Sequence, residues 1–106
     1  MLYTTGNYVQ VSIRYFTTLR EITDKKEEKL SFPENQRTTI TVVLKVLSDK
    51  YGNPFTNYVF DTDGKIRKVL QLLINGTNIT TTLNTQQETL LQNGDTIAIL
   101  PPVSGG

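Results

Sequence analysis

Hydrophobic and polar residues alternate along Tyr8-Val9-Gln10-Val11-Ser12-Ile13-Arg14-Tyr15-Phe16. Val9, Val11, Ile13 and Tyr15 share one face, and Gln10, Ser12 and Arg14 take the other. That period of two predicts a strand with one buried face. Glu28-Lys29-Leu30-Ser31-Phe32 alternates again, with Leu30 and Phe32 inward, and Pro33 ends it. The two runs predict an antiparallel hairpin. Between them, Thr17 to Ile22 has room for one helical turn with Leu19 and Ile22 inward. The mixed charges of Asp24-Lys25-Lys26-Glu27-Glu28-Lys29 read as a solvated turn.

The period then changes. Ile40, Val43, Leu44, Leu47 and Tyr51 fall at i, i+3, i+4, i+7 and i+11, one stripe of a helix. Thr38 or Thr39 suits the N-cap, and Gly52 followed by Pro54 suits the stop. Residues 53–68 read as a long loop, with Asn53-Pro54 and Asp61-Thr62-Asp63-Gly64 as turns and Phe55, Tyr58, Val59 and Phe60 as anchors in a satellite core.

Val69-Leu70-Gln71-Leu72-Leu73-Ile74 is a nearly continuous apolar strand, and Asn75-Gly76 after it is a strong hairpin signal. The return arm runs through Asn78-Ile79 into a Thr-rich edge. Thr85-Gln86-Gln87-Glu88, flanked by Leu83, Leu90 and Leu91, suits a single helical turn. Asn93-Gly94-Asp95 is a further turn, and Thr96-Ile97-Ala98-Ile99-Leu100 is a last strand apolar on both faces. Such a strand lies centrally in a sheet or shows one face to a partner.

Composition narrows the chemistry. The 106 residues suit one small core, and a net charge of +1 without a long run of one sign gives no reason to expect nucleic acid or a membrane as partner. There is no Cys and no His. Disulfides, thiol nucleophiles, cysteine zinc sites and iron–sulfur clusters are thereby excluded, as is the commonest general base. Asp61 and Asp63 lack the later ligands of a calcium loop, so no metal site is expected. No segment is long and apolar enough for a membrane helix, and the N-terminal residues lack the pattern of a signal peptide. A cytoplasmic protein is the expectation, and the two Asn-x-Thr matches, at Asn75 and Asn78, are then accidental.

The remaining chemistry is at the end of the chain. Pro101-Pro102 cannot extend a sheet ladder and favours a stiff, extended exit. Val103-Ser104-Gly105-Gly106 then narrows to two residues without side chains, which another backbone can approach closely. The candidate functional group is the α-carboxylate of Gly106.

The order of elements, Arg14-Tyr15-Phe16 with Leu19-Arg20-Glu21, Leu73-Ile74-Asn75-Gly76, and the run from Leu91 through Asn93-Gly94-Asp95 to Pro101-Pro102-Val103-Ser104-Gly105-Gly106 resemble the MoaD/ThiS group of ubiquitin-like proteins over about residues 8–106. The last motif is the most specific. The resemblance implies an α+β fold, the β-grasp (ubiquitin-like), with a mixed β-sheet of about five strands and one main helix packed across it. The first and last strands would run parallel at the sheet centre. Residues 1–7 would be a mobile arm, 8–100 the domain and 101–106 a flexible tail.

It also implies a mechanism. An E1-like enzyme uses ATP and Mg²⁺ to adenylate Gly106, and a sulfur donor converts the adenylate to a thiocarboxylate. The acceptor would be the large subunit of molybdopterin synthase or a tRNA-thiolation enzyme. The chain is then a covalent co-substrate, not an enzyme, and binds no cofactor itself. Partners would recognise Pro101, Pro102, Val103, Ser104 and Gly105. Two other readings stay open: a modifier joined through Gly106 to lysines of target proteins, and a non-covalent binding module. Phe16, Ala98 and Leu100 form a candidate docking patch beside the tail, or else pack in the core. Lys65, Arg67 and Lys68 read as a solvated basic cluster.

Overall fold

The computed structural model describes residues 8–79 and 89–102. The N-terminal arm, the Thr85–Glu88 turn with Leu83, and Val103, Ser104, Gly105 and Gly106 lie outside the described residues. The chain forms β1 (Tyr8–Tyr15), α1 (Thr18–Thr23), β2 (Glu27–Pro33), α2 (Ile40–Tyr51), α3 (Asn53–Val59), β3 (Gln71–Ile74), β4 (Thr77–Asn78) and β5 (Thr96–Leu100). The strands make one sheet in the order β2-β1-β5-β3-β4. β1 and β2 are antiparallel, with Val11 opposite Leu30 and Ile13 opposite Glu28. β5 lies parallel to β1, pairing Ile13 with Ile97 and Tyr15 with Ile99, and antiparallel to β3. This is the β-grasp arrangement, with the first and last strands side by side at the centre.

The register puts every odd-numbered apolar residue of β1 and β5 on one face. Val11, Ile13, Tyr15, Ile97 and Ile99 are buried there with Leu72, and Ile40, Val43, Leu44 and Leu47 of α2 close the core over them. Helix propensity is weak in Ile40-Thr41-Val42-Val43, so sheet packing holds α2 more than local preference does. Thr39 caps it by accepting from Val42 N at 3.2 Å, a contact worth about 1 kcal/mol.

Two readings change. The segment after Gly52 is not loop throughout: Asn53–Val59 is a helix with Pro54 in its first turn, where a missing N–H costs nothing. Its Phe55 and Val59 belong to the main core, both fully buried. The pattern was hidden because seven residues give only two inward positions. The charged run 24–29 is also not all solvated. Glu27 already belongs to β2, and its neighbour Glu28 points into the helix-facing side.

Candidate functional site

Parallel pairing of β1 and β5 brings their C-terminal ends to the same end of the sheet. Tyr15 is beside Ile99, and β3 begins there with Gln71 opposite Leu100. The chain leaves the sheet at Pro101, half-buried, and Pro102, exposed. Neither proline can donate to a neighbour, so the ladder ends at Leu100 for a covalent reason. Val69, about half exposed, flanks this exit just before β3.

Residues at even positions of β1 and β5 face away from the helices. Arg14 is opposite Ala98, which is opposite Leu73 on its other side. Phe16 continues β1 at the exit end. The Arg14 and Arg20 guanidinium carbons lie 5.7 and 5.4 Å from its ring centroid. Arg20 is held there by donating from Nε to the Tyr15 carbonyl at 2.9 Å. Phe16, Ala98 and Leu100 are each partly exposed. The fold thus brings the three together on the open face. They are neither core nor bare surface, but an apolar floor rimmed by two guanidiniums. Cations over an aromatic face contribute about 0.5–1 kcal/mol at exposed sites. Thr17, next in the chain, has φ 46, a left-handed value unusual for a β-branched residue. The turn from β1 into α1 is therefore strained where it borders the exit.

Beneath the exit, on the helix side, is a carboxylate that the charge pattern had assigned to a solvated turn. Glu28 Oε1 accepts from the Tyr15 and Tyr51 hydroxyls. Its Oε2 pairs with Lys50 Nζ at 2.7 Å and Lys25 Nζ at 3.4 Å, and the side chain is only 7% exposed. Burial by itself pushes the Glu28 carboxyl up. The hydrogen bonds from Lys50, Tyr15 and Tyr51 outweigh burial and hold it down at about 2. Burial raises both tyrosine hydroxyls, and their bonds to Glu28 raise them further. All three groups therefore keep their ordinary protonation states, with anion and donors locked together. The alternation that placed Leu30 and Phe32 inward places Glu28 inward too. That was the signal available in the sequence, and the charge run masked it.

The opposite end of β5 is tied differently. Asn75 Nδ2 donates to Asp95 Oδ1 at 2.9 Å, Gln92 N donates to Asp95 Oδ2 at 2.8 Å, and Thr96 N donates to Asn75 Oδ1 at 2.9 Å. Gln10 N donates to Asn93 Oδ1 at 2.9 Å, and Gly94 N donates to the Gln10 carbonyl at 2.8 Å. Asn75 and Gly76, at φ 52 and 86, form a hairpin turn with both central residues left-handed, for which Asn-Gly is suited. The Asn-Gly and Asn-Gly-Asp motifs are therefore structural fasteners around the start of β5.

Asp61 Oδ1 accepts from Asp63 N at 2.8 Å and Lys65 N at 3.0 Å, so its carboxylate holds its own turn. No cluster of three potential metal ligands occurs among the described residues. Lys65, Arg67 and Lys68 are exposed, as expected. No helix among the described residues is long and apolar enough to cross a membrane.

A ubiquitin-like β-grasp with an open sheet face at the exit of its last strand defines a class, and comparison with known proteins gives the family. The chain belongs to the ThiS family, whose model matches residues 13–106. It is 26% identical over 98 residues to small archaeal modifier protein 3 of Haloferax volcanii, covering 92% of this chain and 100% of that one. The solution structure of small archaeal modifier protein 1 (SAMP1) from Methanosarcina acetivorans is 36% identical, with a TM-score of 0.70 and coverage of 95% and 100%. The Haloferax volcanii HVO 2177 protein, 24% identical with a TM-score of 0.77 over 100% of this chain and 94% of that one, shares the fold. The chain is thus a ubiquitin-like protein of the sulfur-carrier or modifier type.

Proposed function

We propose that this chain is a sulfur carrier whose Gly106 carboxylate is activated by an E1-like enzyme. A carboxylate oxygen attacks the α-phosphorus of ATP held by that enzyme with Mg²⁺, and pyrophosphate leaves. Hydrosulfide (HS⁻) released by a sulfur donor then adds at the Gly106 carbonyl carbon, expels AMP and loses its proton, leaving a thiocarboxylate. Adenylation is needed because the oxygen of a free carboxylate is a poor leaving group. Gly suits the reacting position because it has no Cβ to crowd the carbonyl, and Ser104-Gly105-Gly106 is narrow enough to enter an enclosed channel. Pro101 and Pro102, which cannot join the ladder, lead the chain out of the sheet toward the reactive end. Phe16, Ala98 and Leu100, rimmed by Arg14 and Arg20, form the surface on which the activating enzyme seats the domain. The thiocarboxylate supplies sulfur to a molybdopterin synthase large subunit or a tRNA-thiolation enzyme.

The observation that carries this reading is that the family match continues through residue 106, six residues past the end of β5 at Leu100. Intact mass after co-expression with an E1-like enzyme tests it: one oxygen is replaced by sulfur, and deletion of Gly106 abolishes the change while the fold persists. An unmodified mass under those conditions refutes the carrier role.

The similarity to two proteins named small archaeal modifiers favours a second role for the same activated carbonyl. A target lysine amine expels AMP instead of sulfur doing so, giving an isopeptide bond. Digestion of cell extracts then yields branched peptides in which this chain's C-terminal residues are linked to lysines of other proteins. Absence of such peptides in cells that make the chain refutes that role.

A further inference from the structure

Among the described residues the sheet has one long open edge. β4, at one side, is two residues, whereas β2, at the other, is seven. The hydrogen-bond pattern says which β2 groups face outward. Ser12 N donates to the Asp95 carbonyl and the Gln10 carbonyl accepts from Gly94 N, so even positions of β1 bond toward β5. Tyr15 N donates to the Lys26 carbonyl, so odd positions bond toward β2. Lys26 lies opposite Tyr15, and Glu28 and Leu30 lie opposite Ile13 and Val11, so all three bond inward. The backbone N–H and C=O groups of Glu27, Lys29 and Ser31 therefore point away from the sheet, and none is paired with a described residue.

The charges along this row are arranged to match a reversed copy of themselves. Glu27 and Lys29 are both exposed, with side chains on the open face of the sheet. Two copies of β2 set antiparallel about a twofold axis at Glu28 place Glu27 of each beside Lys29 of the other. Both pairs then exchange backbone hydrogen bonds, four in all. Each rung alternates in sign: Arg14 is already opposite Glu27, and the second copy's Lys29 would come next. The two Glu28 carboxylates face the helix layer, each already matched by Lys25 and Lys50. A two-residue shift of the axis loses this: centred on Leu30 it sets Lys29 beside Ser31, and Glu27 beside Pro33, which has no N–H.

We propose that the β2 edge is a self-association surface, occupied by a second copy of this chain in that register. The product is a continuous ten-stranded sheet. Because β2 is two strands away from β5, both exits stay clear and lie at opposite ends of the dimer. Five residues of edge bury far less than a standard interface, so the association is weak, with Kd on the order of 0.1–1 mM.

Sedimentation equilibrium of the full chain at micromolar to millimolar concentration reads it directly. The wild type dimerises in this range. E27K and K29E each weaken dimerisation by about tenfold, because each replaces two attractive cross-strand pairs by repulsive ones. An equimolar mixture of E27K and K29E associates again as a heterodimer, and the double swap E27K/K29E restores the homodimer. A wild-type chain that is monomeric at 1 mM, or a dimer indifferent to E27K, overturns the proposal. So does a mixture that associates no better than either variant alone. Circular dichroism confirms that each exposed substitution leaves the fold intact.

Discussion

The two ends of β5 are held by opposite strategies. At its start, side chains of Asn75, Asp95 and Asn93 knit together two loops and the beginning of β1 with exposed hydrogen bonds. At its end the side-chain tie on the open side is Arg20 Nε to the Tyr15 carbonyl, on the neighbouring strand rather than on β5. The support comes from below, through the Glu28 cluster under Tyr15, the neighbour of Ile99. More polar fasteners at the exit would occupy the surface on which, in the function proposed above, the activating enzyme sits. Moving them to the far end and to the underside leaves Phe16, Ala98 and Leu100 available while β5 remains fixed. A rigid strand that ends cleanly gives Pro101 and Pro102 a fixed point of departure, which the C-terminal chemistry proposed above requires.

Breaking the lower support should have the largest effect on stability. Glu28→Ala removes the acceptor for two tyrosine hydroxyls and leaves Tyr15, fully buried, without a partner. The expected loss is about 3 kcal/mol, read from urea unfolding. The pH dependence comes from the sign of the shift. The Glu28 carboxyl titrates at about 2 in the folded chain against 4.5 for the ordinary group. The unfolded state therefore binds the proton first. The stabilisation is fully present above pH 4.5 and is lost as pH falls toward 2. Glu28→Gln should flatten that acid limb, which a comparison of unfolding midpoints at pH 6 and pH 3 measures.

Cutting the upper fastener should have a smaller effect. Asp95→Ala leaves Gln92 N and Asn75 Nδ2 without their acceptor, but both are exposed and take water instead. A loss of about 1–2 kcal/mol is expected, with faster amide hydrogen exchange at Thr96 and Asn75 than at Ile99. Exchange that rises equally at both ends would mean that the ends are not independently held.

The smallest stability change, and the largest functional one, belongs at the exit. Leu100→Ala trims a half-buried side chain and should lower stability by about 1 kcal/mol. Binding to the activating enzyme, measured by calorimetry, should fall at least tenfold. Unaltered binding would move the docking surface away from this face.

The periodicities of β1, β2 and α2 were legible because each element has a single buried face with an undisturbed repeat. Asn75-Gly76 and Gly94-Asp95 were legible as turns because left-handed backbone restricts residue choice there. The motif around them marked the family before any geometry was known, although its polar residues proved to be fasteners at the far end from the tail. α3 was not legible, since its two core residues, Phe55 and Val59, define no period.

By itself the sequence determined the elements with a long repeat, the absence of thiol and imidazole chemistry, and the stop at Pro101-Pro102. Those come from local rules: side-chain periodicity, available functional groups and a missing N–H. Only the tertiary structure decided that Glu28 is an interior anion rather than part of a solvated run, that Arg14 and Arg20 converge on Phe16, and that the outward groups of β2 carry a self-complementary pair of charges. Each of these depends on which strand is a neighbour and in what register. That is fixed by contacts between residues distant in sequence, such as Ile13 with Ile97, and no local pattern encodes it.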